Sequence, residues 1–186
     1  MTAIAQSTVS APRGAAIAAL IWLALAAIAG ASGFLAQLPF PGAQLIILGL
    51  TAAAVIAAFT VLRTWLESVP LRWLVGINAF RFIGIVFLVL AAQGRLNPIF
   101  AARAGWGDIA VALGAVVLFF VSERRLLLSW NVLGFLDLVV AVGTASVVTN
   151  VEPLLTFPLS LVPTFAVPLF LANHVFMFRR LLRDAR

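Results

Sequence analysis

The constraint that dominates this chain is a series of apolar runs, each close to twenty residues long and separated by short polar loops. They read 14–35, 43–62, 72–92, 107–121, 126–148 and 159–178. A helix rises about 1.5 Å per residue, so about twenty residues cross a hydrocarbon core of about 30 Å. Inside lipid no water satisfies backbone N–H and C=O groups, so such runs must close their own hydrogen bonds as helices. The fold class expected is therefore all-α, a bundle of six transmembrane helices forming one domain over residues 1–186. Composition agrees: 64% of residues are apolar, 10% are charged, and the mean hydropathy is +1.18. A soluble domain is about 45–50% apolar and about 25% charged. That difference excludes a water-soluble enzyme, a disordered tail and a free nucleic-acid-binding module.

The charges orient the spans. The net charge is +6, and all twelve basic residues are arginines. Arg13, Arg63, Arg72, Arg124, Arg125, Arg179, Arg180, Arg183 and Arg186 fall on one side of the six spans, Arg95 and Arg103 on the other, and Arg81 inside span 3. The positive-inside rule then places both termini in the cytoplasm. Trp65, Trp73 and Trp130 fall at inner ends and Trp106 at an outer end, where interfacial aromatics belong. An all-arginine, alanine-rich chain suggests a GC-rich bacterial genome, hence a bacterial inner membrane. Residues 1–12 read as a short mobile tail. Arg13, the apolar run and Ala29-Gly30-Ala31 also have the order of a signal peptide, but the run exceeds the usual 7–15 residues, so a retained span is expected. Absence of cysteine excludes disulfides, thiolate nucleophiles and iron–sulfur ligation, and a single histidine excludes bis-histidine haem. No cofactor or metal is expected. The expected partners are the bilayer itself, including anionic headgroups at Arg179, Arg180 and Arg183, and a second copy or another membrane protein.

Polar groups within the spans are the candidate site: Arg81, Asp137, Asn78, Asn131 and His174. A charged side chain near mid-bilayer costs about 2.5–3.5 kcal/mol, so each needs a partner or water. Arg81 stands about 13 Å into span 3 and Asp137 about 16 Å into span 5, counting rise per residue from the cytoplasmic ends. Equal depth predicts an Arg81–Asp137 ion pair. Asn78 lies one turn below Arg81 on the same face. His174, about 7 Å above the inner end of span 6, and Asn131 lie at similar depth. Such a set forms either a structural latch between helices or the wall of a hydrated cavity on the cytoplasmic side. Pro163 and Pro168 remove backbone donors from span 6 and bend it.

Two short motifs resemble known intramembrane enzymes. Gly30-Ala31-Ser32-Gly33 is similar to the nucleophile motif of rhomboid proteases, whose chemistry implies Ser32 within hydrogen-bond reach of His174. Counting residues sets the two roughly 20 Å apart in depth, so a small-residue packing patch is the reading taken forward. Gly105-Trp106-Gly107-Asp108 resembles the GxGD motif of intramembrane aspartyl proteases, which implies a second acid sharing a proton with Asp108. Asp137 is the candidate, but depth counting leaves it about 15 Å away, with Asp108 an N-terminal acid at the outer mouth of span 4. The function expected is a carrier or channel-like protein with a polar cavity on the cytoplasmic side, Arg81 binding an anionic group or setting the pKa of Asp137, and His174 acting as a proton-sensitive gate. The alternative is a scaffold or accessory subunit packing through Gly30, Gly33, Gly76 and Gly84. An aspartyl hydrolase using Asp108 and Asp137 ranks third.

Overall fold

Local signals in the sequence set the helix boundaries. The computed structural model describes residues 12–39 and 41–183. Residues 1–11 of the expected 1–12 tail, and Arg186, lie outside the described residues. The long helices are α1 Arg13–Ala31, α2 Gly42–Phe59, α3 Leu71–Ala92, α4 Pro98–Leu118, α5 Arg124–Ala145 and α6 Val162–Arg183. All six are long and apolar enough to cross a membrane, and no strand occurs among the described residues. Helix α1 stops at Gly33, whose φ of 73° suits the left-handed residue that ends a helix. Asn97 caps α4, its Oδ1 accepting from the N–H groups of Ile99 and Phe100, with Pro98 in the first helical position. Glu123 caps α5 by accepting from Arg125 and Leu126 N–H groups.

Two expected boundaries move. Span 4 begins nine residues before the expected Gly107, because Asn97-Pro98 is a start signal that the glycines around Trp106 obscured. Arg103 therefore belongs to α4, with its guanidinium near the Thr144 hydroxyl, and Trp106 is an exposed residue well inside the helix. Span 6 continues to Arg183 rather than ending at Phe178, which sinks His174 deeper than expected.

Three helices leave α geometry. Ile77–Ile83 of α3 winds as 3-10 helix, while Ala101–Gly105 of α4 and Val162–Ala166 of α6 form π turns. Pro168 lacks the N–H that would bond the carbonyl of Thr164 four residues back. The Trp22 indole of α1 donates to that carbonyl instead, at 3.0 Å, and its ring meets Phe165 edge-on. A proline in α6 thus creates the acceptor that anchors α1. Trp22→Phe keeps the ring contact and removes the donor. It is expected to cost about 1 kcal/mol, read as a lower thermal midpoint in detergent.

The two ends of the bundle are closed differently. At the arginine-rich end, Arg124 donates to the Leu181 carbonyl, and Arg180 to the carbonyls of Leu66 and Val69. Here Glu67 of the short helix Arg63–Ser68 faces Arg63, Arg179 and Arg183 at 3.1, 3.3 and 3.5 Å. The hydrogen bond from Arg63 is the largest influence; it outweighs the opposing effect of burial and, with the fields of Arg63, Arg179 and Arg183, holds the Glu67 carboxyl below the usual range. A depressed carboxylate contributes stability above its unfolded pKa and loses it as pH falls through the folded value. Glu67→Gln is therefore expected to flatten the acid side of the stability–pH curve, with a small change at neutral pH because the ties are partly exposed. At the opposite end, Asn97 bonds the backbone of Thr149 and Asn150. The Phe157 N–H donates to the Gly30 carbonyl there.

Side chains on the outer surface are large and apolar, among them Leu48, Phe80, Phe120 and Val147. A soluble monomer seldom exposes continuous apolar area of this extent. Inside, Val75, Ala115, Trp130 and Met177 form a core toward the arginine-rich end. Phe87, Leu96, Phe100 and Ala104 form another toward the opposite end. The charged groups lie between the two.

Candidate functional site

Arg81 is fully buried at mid-bundle. The 3-10 winding of α3 brings it directly above Asn78, because three residues make one turn. Its guanidinium has three acceptors on two other helices. Nε donates to Asp108 Oδ1 of α4 at 2.7 Å, Nη1 to the Gly134 carbonyl of α5 at 3.0 Å, and Nη2 to Asp137 Oδ2 of α5. The Phe170 ring of α6 lies 6.0 Å from its central carbon, within cation–π range. The expected meeting of Arg81 and Asp137 is present, and it includes a second acid that depth counting had set at the outer mouth. Asp108 is eleven residues into α4 because that helix starts at Pro98, and eleven residues at 1.5 Å reach about 16 Å.

Three residues of the Gly105–Asp108 motif, Gly105, Gly107 and Asp108, now have a physical role. Gly105 and Gly84 face one another, and a Cβ on Gly84 would stand 2.5 Å from the Gly105 carbonyl oxygen. Their bare backbones let α3 and α4 approach until Arg81 reaches Asp108. Gly107 leaves the space that the Asp137 carboxylate fills, so a methyl there would overlap it. An aspartyl dyad runs on a proton shared by its two acids. Here one guanidinium binds both carboxyls and competes for the same lone pairs.

The other predicted site residues separate from this cluster. Asn131 and His174 pair between α5 and α6. The Asn131 amide nitrogen donates to the His174 carbonyl at 3.1 Å, so its oxygen faces His174 Nδ1, at 2.8 Å, and Nδ1 carries the proton. His174 Nε2 is left as a buried acceptor with no hydrogen-bond partner among the described residues, against the backbone of Gly134. Asn78 turns to its own helix, donating to the carbonyls of Leu74 and Val75. Ser32 donates to the Ala29 carbonyl at the end of α1, and His174 is engaged by Asn131, so the pairing implied by the rhomboid resemblance does not form. The glycines assigned to partner packing serve this chain: Gly30 accommodates Ser160, Gly76 accommodates Phe119, and Gly33 turns the backbone.

A cavity of about 400 Å³ reaches the charge cluster. Its lining draws on all six helices and includes Arg81 and Asp108, with Gln44 and Ser146 toward the loop end. Phe87, Phe100 and other apolar side chains make most of its wall. The cavity was expected on the side of the C-terminal arginines and with polar walls. It lies instead toward the opposite end, where its wall includes Ala104 of the α4 π turn and Val162, Pro163, Phe165 and Ala166 of the α6 π turn.

Fold and site together define a small all-helical bundle with six helices long and apolar enough to cross a membrane and an apolar cavity floored by buried charge. The chain belongs to the family described as Domain of unknown function (DUF8737), whose model matches residues 38–182, that is α2 to α6. No curated protein and no solved structure matches it.

Proposed function

We propose that the protein is a small solute-binding membrane protein of carrier type. In this reading it crosses a bacterial inner membrane six times with both termini in the cytoplasm. The observation that carries it is the cavity that runs from the loop end to Arg81 and Asp108. Ligand sites are typically concave, mostly apolar and provided with a few converging polar groups, and this cavity has all three features. With the termini inside, the end of the cavity lined by Gln44 and Ser146 faces away from the cytoplasm. The floor marks where a solute would meet Arg81 and Asp108, the two ionisable groups among the described residues of the cavity wall.

The test is saturable binding of a small neutral amphiphile, 1-aminoanthracene, to the purified protein in lipid nanodiscs. Binding beyond that of empty nanodiscs, abolished by Ala141→Phe, which fills the cavity wall, is the expected result. Binding that is absent or indifferent to Ala141→Phe overturns the reading.

A further inference from the structure

The cavity floor holds two carboxyl groups and one guanidinium. With both acids ionised the cluster carries one negative charge more than it can balance internally. A bare charge at this depth is costly, so the cluster demands one more positive charge. We propose that this charge is supplied alternately by a proton and by the solute, and that the solute is an amphipathic organic cation exchanged for one proton at Asp108. The inference deepens the solute-binding reading and rests on it.

Geometry favours a cation over an anion. Arg81 is fully buried and already donates to three acceptors, so an incoming anion would add a third negative group to one guanidinium. Asp108 lines the cavity and retains slight exposure. Asp108 Oδ1 is taken by Arg81 Nε, which leaves Oδ2 as the oxygen available to a ligand. Phe87, Phe100, Phe165 and Phe170 line the same space, and aromatic faces attract organic cations. This reverses the expectation that Arg81 receives an anionic group: its charge is already committed to the acids.

The exchange balances without any redox step. In the empty state Asp108 carries a proton on the carboxyl oxygen facing the cavity. The entering cation replaces it: the O–H bond breaks, its electron pair stays on oxygen, and the carboxylate pairs with the cation. The proton leaves Asp108 into the cavity, whose wall includes the polar side chains of Gln44 and Ser146. The cluster is neutral before and after.

The experiment compares hexyltrimethylammonium, hexanol and hexanoate on the protein in nanodiscs, by calorimetry and by a pH indicator in weakly buffered solution. The expected result is preference for the cation, about one proton released per cation bound, and cation affinity rising up to about tenfold per pH unit while hexanol affinity stays flat. Asp108→Asn, checked for an intact thermal transition, is expected to weaken cation binding at least about tenfold and to abolish proton release. The wild-type proton count decides the matter even if that variant does not fold. Equal binding of cation and hexanol without proton release overturns this inference and leaves the cavity reading standing. Preference for hexanoate overturns it and returns the ligand role to Arg81. Failure of every probe, 1-aminoanthracene included, overturns both.

Discussion

Replacing Arg81 with leucine is expected to cost about 3–5 kcal/mol, enough to lose most folded protein from the membrane, because two buried carboxyls lose their shared counter-charge. The companion acids should behave very differently. Asp108→Asn leaves Arg81 and Asp137 as a balanced pair and keeps an acceptor oxygen for Arg81 Nε, so its cost should be near the average of about 0.6 kcal/mol for polar contacts between membrane helices. Asp137→Asn should be similarly mild, because Asp108 remains. Removing both acids together leaves a lone guanidinium and should again be severe. The triple variant, Arg81→Leu with both aspartates changed to asparagine, carries no buried charge and should recover much of the loss. Thermal midpoints in detergent, followed by size-exclusion chromatography, rank the series. A simple one-to-one latch predicts something else: Asp137→Asn as damaging as Arg81→Leu.

The second large effect concerns a residue with no side chain. A methyl at position 107 would occupy the place of the Asp137 carboxylate. Gly107→Ala must push that carboxylate from Arg81 or separate α4 from α5. Overpacking of this kind costs about 1–3 kcal/mol. Gly143→Ala is the control, since nothing lies within 4 Å of the added methyl there. It should be neutral or stabilising by about 0.5–1 kcal/mol, from reduced backbone entropy in a helix. Shortening the obstructing group, in Gly107→Ala with Asp137→Ala, should be less damaging than the sum of the two single changes, with coupling of about 0.5–3 kcal/mol.

Length and hydropathy were enough to read six helices, and arginine depth was enough to bring Arg81 to Asp137. What escaped was the start of α4. Five glycines and alanines around Arg103 and Trp106 look like a loop, and an arginine in that stretch looks like a loop charge. The decisive signal was Asn97-Pro98, a cap followed by a first-turn proline, which places Asp108 at the level of Arg81. The two amides and His174 were placed in the same site because depth alone carries no azimuth. Asn78 turned inward to the carbonyls of its own helix, and Asn131 found His174 on the neighbouring one. The cavity was not legible either. Its wall includes residues of the π turns at Ala101–Gly105 and Val162–Ala166, and of the two turns only the second has a sequence marker, in Pro163 and Pro168. The glycines pointed to close helix contacts, but nothing in the sequence said that the contacts lie within one chain.

The claim on which the rest depends is that one guanidinium holds two carboxyls from different helices. Solid-state NMR of the protein in lipid, with arginine side-chain nitrogens and aspartate Cγ carbons labelled, tests it directly. The sequence helps, for it has only three aspartates, at positions 108, 137 and 184. Two aspartate carboxyl carbons within about 4 Å of the nitrogens of a single arginine, as charge-assisted hydrogen bonds require, with both correlations lost in Arg81→Leu/Asp108→Asn/Asp137→Asn, is the result this account predicts. Correlation of Asp108 and Asp137 with different arginines, or of Asp108 with none, would contradict it.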